Sequence, residues 1–130
     1  AYQLAVVVDD LLMRVSHVLR GDDLLPSTGA QALLYDALGA APPAFAHVPL
    51  LLDADGERLA KRSGALTLSA LRGAGVRPER VIGLLAHSLG LLPCPLELSL
   101  SDFLARCDLD ALPREPFRLE TRHLEWLHGL

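Results

Sequence analysis

The stretch Ala44 to Leu52 is the strongest constraint on how this chain can fold. Its nine residues carry one polar side chain, His47, and so apolar a strand is expected at the centre of a sheet, covered on both faces. A helix-spaced segment precedes it. Ala30, Leu33, Leu34, Ala37 and Leu38 share one face, Ser27 or Thr28 is read as the N-cap, and Gly39 as the stop. Further upstream, Val15 to Arg20 reads as a short strand closed by Gly21. Strand, helix and apolar strand form a βαβ unit, for which a parallel pair and a right-handed crossover are expected. Ligands of such sheets collect beyond the C-terminal ends of the strands.

The loop beyond the second strand suits that position. From Gly56 to Gly64 it places Arg58, Lys61 and Arg62 between two glycines, and glycine lets backbone approach a ligand closely. Three fixed cations within five residues suit a polyanion, and a nucleotide phosphate is the expected guest. Arg20 ends the first strand, so Arg20 and Lys61 are expected at one crevice.

Around this centre the chain reads as helical. Leu4, Val7, Val8, Leu11 and Leu12 have helical spacing, ended by Met13-Arg14. Past Gly64 no strand stands out. Thr67 to Ala74 is a short helix stopped by Gly75, and Pro78 opens another whose face is Val81, Ile82, Leu84, Leu85 and Leu89. A connector from Leu91 to Leu98 leads to a helix begun by Ser99 with Asp102 and reaching about Cys107. Thr121 is read as the cap of a last helix holding Trp126. At 130 residues, 51% of them hydrophobic, the chain can bury a core. A formal charge of −4 supplies no global field toward nucleic acid or anionic membrane. No membrane-spanning run is present. Cys94 and Cys107 lack the paired spacing of a zinc site and read as reduced thiols of a cytoplasmic protein.

The series Tyr2-Gln3-Leu4-Ala5-Val6-Val7-Val8-Asp9-Asp10, Ser16-His17-Val18-Leu19-Arg20-Gly21-Asp22-Asp23-Leu24, Ser27-Thr28, His47-Val48-Pro49-Leu50-Leu51 and Arg58-Leu59-Ala60-Lys61-Arg62 resembles a known pattern. In order and spacing it is similar to the C-terminal half of the catalytic domain of the glutamyl-tRNA synthetase family of class I. Residues 2 to about 90 take part. Within the family the resemblance leans to the shortened glutamyl-queuosine tRNA(Asp) branch, on Ser63-Gly64-Ala65 and on Val6, where other members often place asparagine.

The resemblance implies an α/β fold. Residues 1–64 would be the distal half of a Rossmann-like nucleotide-binding domain with parallel strands, and residues 65–130 an α-helical stem-contact region. It aligns Arg58-Leu59-Ala60-Lys61-Arg62 with the KMSKS motif, so Lys61 would be the catalytic cation on the ATP phosphates, with Arg58 beside it. Arg58 replaces the motif's first lysine and Ala60 its hydroxyl residue, which implies a modest loss of loop closure. Tyr2 and Arg20 match the family's glutamate-binding pair, and an arginine can fork onto a carboxylate bidentately. ATP with Mg2+ and L-glutamate are the implied ligands. The acceptor is the queuosine of tRNA(Asp), or alternatively tRNA(Glu). Zinc belongs to an earlier segment of the family's chain, and these residues supply no metal ligands. They also contain no His-x-Gly-His segment, so the 130-residue polypeptide alone is expected to be inactive. A noncatalytic RNA- or protein-binding module derived from this fold is the remaining alternative.

Several residues also have plainer readings. Lys61 taken alone is a solvated lysine, and Arg20 a structural arginine paired with Asp22 or Asp23. Asp9 and Asp10, adjacent on a helix, point to different faces and read as solvated or capping. His17 and His47 read as satisfied strand histidines, His87 and Ser88 form no nucleophile motif, and Trp126 and Phe117 read as anchors for the C-terminal helices. Arg72, Arg77 and Arg80 read as a solvated helix face rather than an RNA patch.

Overall fold

The computed structural model describes residues 2–59 and 66–129. It divides into two compact units, Ala1–Val48 and Pro49–Leu130.

In the first unit, α1 (Tyr2–Leu12) leads through Arg14, held at φ 56°, into β1 (His17–Gly21). A 3-10 turn, Asp22–Leu24, runs directly into α2 (Leu25–Ala37), and β2 (Ala44–Val48) comes next. β1 and β2 are parallel, with His17 opposite Ala44, Arg20 opposite His47 and Gly21 opposite Val48. The strand, helix, parallel strand reading is therefore correct. Two details of its helix are not.

Ser27 and Thr28 do not cap α2. Leu24 is the N-cap and Pro26 lies in the first turn, where its preset φ favours an early start. The two hydroxyl residues are the third and fourth of the helix, and their side chains meet Gln3 and Arg20. The buried face of α2 is also not the apolar one. Gln31 and Tyr35, four residues apart, are 2% exposed each, whereas Leu33 is 72% exposed and Ala30 and Ala37 are exposed too. Spacing identifies the helix, but polar contacts of Gln31 with α1 and β1 select which side faces in.

In the second unit the expected long strand is cut short. Pro49 has no N–H for a ladder, and Ala44 to Leu52 becomes β2 and then, after Pro49-Leu50, β3 (Leu51–Leu52). β3 pairs in parallel with β4 (Phe117–Arg118), through Phe117 N–H to Leu50 O at 2.9 Å and Leu119 N–H to Leu52 O at 2.8 Å. Neither β2 nor β3 is fully buried, so coverage on both faces is not observed among the described residues. β4 corrects the expectation of no strand past Gly64; two residues are too few to leave a periodic signal.

The helices of this unit are α3 (Leu68–Gly73), α4 (Pro78–Ser88), α5 (Leu100–Arg106) and α6 (Thr121–His128). Thr67 accepts from Ala70 N–H and Ser99 from Asp102 N–H, as their side chains allow. Gly75 and Gly90 stand after α3 and α4 at positive φ. Thr121 does not cap α6. Glu120 does, in a reciprocal box in which the Glu120 backbone N–H donates to Nδ1 of His123 at 2.9 Å. The unit's main core joins Leu71, Leu84, Leu119 and Leu127, with Leu59, Phe117 and Trp126 packed against it. A second cluster of Ala86, Leu92 and Leu98 holds the connector and α5. Phe117 and Trp126 thus act as the expected anchors. No helix among the described residues is long and apolar enough to cross a membrane, and both cysteines are free.

Candidate functional site

The first unit gathers its polar side chains around Arg20. β1 carries the guanidinium, one residue before the strand's end, beside the N-terminal half of α2. Nη1 donates to Gln31 Oε1 at 2.7 Å, Nη2 to Thr28 Oγ1 at 2.8 Å and to the Leu24 carbonyl at 3.4 Å, and Nε to His47 Nε2 at 3.2 Å. The Phe45 ring lies 4.8 Å from the guanidinium carbon, a cation–π distance. Because a guanidinium can only donate, His47 Nε2 must be the lone-pair nitrogen, with the proton on Nδ1. The partners of Arg20 are therefore Gln31, Thr28, His47 and a backbone carbonyl rather than the adjacent acids of its plainer reading.

Of the five guanidinium N–H groups, the second on Nη1 is the one without an acceptor among the described residues. Both edges that could fork onto a carboxylate are engaged within the protein. A carboxylate reaching Arg20 in this arrangement meets a single N–H, not the bidentate pair expected. Tyr2, the other residue matched to glutamate binding, opens α1 and is 65% exposed. Its neighbour Gln3 reaches the same network, accepting from Gln31 Nε2 at 2.6 Å and donating to Ser27 Oγ at 3.1 Å. His47 is the satisfied strand histidine that the sequence suggests, whereas sequence reasoning gave Gln3, Thr28 and Gln31 no role here. The available signal was Gln31, a long polar residue inside a helical stretch rich in leucine and alanine.

In the second unit, β3 turns into the basic loop through Asp53. Asp53 Oδ1 accepts from the backbone N–H groups of Asp55 at 3.0 Å and Glu57 at 2.8 Å, and Asp53 N–H donates to the Glu57 carbonyl at 2.9 Å. The turn closes as Arg58 pairs antiparallel with Leu52, while Gly56 takes φ +83°. A Cβ on Gly56 would lie 3.1 Å from Arg118 Nη2, so β4 supports this turn from the side. Asp-x-Asp-Gly is turn chemistry legible in sequence; its dependence on Arg118 is not. Arg58 is exposed and Leu59 is tied to the core. Ala60, Lys61 and Arg62, together with the crevice expected for Lys61 and Arg20, lie outside the described residues.

The remaining candidates are structural. His17 is exposed and bonds Ser16 Oγ at 2.9 Å. His87 Nδ1 donates to the Leu92 carbonyl at 3.0 Å. Arg80 is not a solvated residue of α4: it donates to the Trp126 carbonyl at 2.7 Å and to Glu97 at 3.1 Å, with its guanidinium 5.4 Å from the Trp126 ring. Arg77 shares Glu97 at 3.0 Å. Among the described residues no three His, Cys, Asp or Glu side chains converge on a metal position.

The family description "tRNA synthetases class I (E and Q), catalytic domain" matches residues 1–94. The chain belongs to this family. A glutamyl-Q tRNA(Asp) synthetase of Symbiobacterium thermophilum is 54% identical over 98% of the chain, which spans 40% of that relative's length. The corresponding protein of Nocardia farcinica is 56% identical over 92% of the chain and is spanned to 37%. Glutamate–tRNA ligase 1 of Pseudothermotoga lettingae is 40% identical over 98% of the chain, which spans 27% of it. Among solved structures, a glutamate tRNA ligase from Elizabethkingia meningosepticum in complex with its amino acid superimposes with a TM-score of 0.77. It is 29% identical, covering 98% of this chain and 29% of that one. The elements within residues 1–94 are thus part of a class I synthetase catalytic domain. The chain spans well under half of these relatives.

Proposed function

We propose that these residues serve an enzyme that activates L-glutamate with ATP and transfers it to the queuosine of tRNA(Asp). The observation that carries this reading is the identity pattern: 54% and 56% to proteins named for that reaction, against 40% to a glutamate–tRNA ligase over a similar span. In the proposed chemistry the glutamate α-carboxylate attacks the α-phosphate of ATP and pyrophosphate leaves; a hydroxyl of the nucleoside then attacks the acyl carbon of the mixed anhydride, losing its proton and releasing AMP. Lys61 would neutralise charge developing on the phosphates, with Arg58 and Arg62 as supporting charge. Preorganised cations at such positions are often the largest catalytic contribution. Tyr2 and Arg20 would hold glutamate. Mg2+ would accompany ATP rather than occupy a cage built by this chain. Residues 1–64 would belong to the nucleotide-binding domain and 65–130 to the region facing the tRNA stem, in a cytoplasmic protein.

The test is charging by the complete protein that carries this sequence. Glutamate is expected on queuosine-containing tRNA(Asp), and none on the same tRNA lacking queuosine. Charging of tRNA(Glu) instead would make it an ordinary glutamyl-tRNA synthetase, the second reading, which rests on the lower identity of 40% over 98% of the chain. In the same protein, Lys61→Ala is expected to slow adenylate formation while leaving glutamate affinity near the parent's. Equal activation rates would remove Lys61 from the chemistry.

A further inference from the structure

We propose that Gln31 is a positioning residue that fixes which way Arg20 presents the Nη1 N–H left without an acceptor among the described residues, and that Gln3 ties this setting to the start of α1. The inference rests on the reading of Arg20 as a glutamate-binding residue, and goes beyond it to the residues that aim the guanidinium.

Gln31 is 2% exposed, a costly place for an amide unless its groups are paired. They are paired in one sense. Arg20 Nη1 donates to Gln31 Oε1, Gln31 Nε2 donates to Gln3 Oε1, and Gln3 Nε2 donates to Ser27 Oγ, at 2.7, 2.6 and 3.1 Å. The direction is forced by its first member. A guanidinium has no acceptor, so Gln31 must turn its oxygen to Arg20 and its nitrogen to Gln3, and Gln3 must turn its nitrogen to Ser27. Rotating either amide by half a turn would bring N–H against N–H.

The two hydrogens of Nη1 lie in the guanidinium plane about 120° apart, as sp² nitrogen requires. Gln31 takes one, so the direction of the other is set. Thr28 and His47 meet Nη2 and Nε, and Gln31 supplies the third point of contact, on Nη1, that keeps the plane from turning. Gln3 stands directly after Tyr2 on α1. The chain of amides therefore joins the backbone position of one proposed glutamate contact to the side-chain direction of the other.

The experiment compares Gln31→Met, Gln3→Met and Arg20→Lys in the complete protein, reading KM for glutamate, KM for ATP and kcat in tRNA charging. Methionine keeps the bulk of glutamine and removes both polar groups. Gln31→Met is expected to raise the glutamate KM ~10-fold, the scale of one hydrogen bond to a charged group, with kcat and the ATP KM near the parent's. Gln3→Met, at a half-exposed site, is expected to move the glutamate KM the same way by less. A folded Gln31→Met with unchanged glutamate KM, or with both KM values raised in parallel, overturns the inference. If Gln31→Met does not fold, Gln3→Met decides: an unchanged glutamate KM overturns it. Arg20→Lys separates the two levels. An unchanged glutamate KM there removes the reading of Arg20 itself, whereas a raised value with both methionine variants unaffected removes only the role of the amides.

Discussion

Gly83 shows how much one missing methyl group can decide. It lies inside α4, where glycine is otherwise unfavourable, and a Cβ there would overlap the carbonyl oxygen of Leu96. The close approach is fixed nearby by Leu98 N–H donating to the Glu79 carbonyl at 3.0 Å. Gly83→Ala must therefore push the connector off α4, and is expected to lower stability by about 2–3 kcal/mol despite the better helix propensity of alanine. A denaturation midpoint equal to the parent's would contradict the packing. In sequence, Gly83 is only a gap in the apolar face of α4, because no local pattern reports which backbone will lie against a helix. Gln31 is hidden for the complementary reason. A polar residue at a buried helical position looks like an error of period until its partners, contributed by α1 and β1, are known.

Among the elements, α6 is held by a start signal that titrates. Glu120 and His123 cap each other's backbone N–H groups, and His123 is 4% exposed against the His87 and Phe117 rings. Burial holds the imidazole below its ordinary pKa of 6.5; Arg122 and His87 push it further down, and Glu120 opposes them. Nδ1 must stay unprotonated to accept the Glu120 N–H. The unfolded chain takes up the proton first, so this part of the stability is complete above pH 6.5. It is lost as pH falls from there through the lowered native value. Denaturation midpoints are expected to fall across that window, and His123→Gln, which accepts without titrating, should flatten the slope. An unchanged slope in the variant would assign the pH dependence elsewhere. The helix itself is legible from Thr121 and Trp126, but its cap lies one residue earlier than the sequence suggests, since a glutamate and a histidine three apart do not spell the usual box. The turns at Thr67, Ser99, Gly75 and Gly90 are legible because each depends on its own residue and its immediate neighbours.

At the scale of the whole molecule, local signals recover the parallel β1–α2–β2 unit and most helices. They fail where distant segments meet, at the break after Val48 and at β4. The candidate site divides in the same way: Tyr2, Arg20, Arg58 and Lys61 stand out in the sequence, whereas the residues that orient Arg20 do not. The family comparison bears on activity. These 130 residues lack a His-x-Gly-His segment and span 40% of a relative that matches almost all of them. The 130-residue polypeptide by itself is expected to give no glutamate-dependent exchange of pyrophosphate into ATP. Exchange at the rate of the complete protein would mean that Lys61 and Arg20 suffice.

The pairing of Leu51–Leu52 with Phe117–Arg118 has a consequence for the order of events during synthesis. The turn from Asp53 to Arg58 emerges from the ribosome before Phe117 and Arg118, so the strand it hangs from lacks its parallel neighbour until residues far along the chain have been made. Long-range parallel contacts of this kind are slow to form. The basic loop is thus translated before the strand that flanks its entry, and a message cut short before Phe117 would leave an intact loop sequence without that strand.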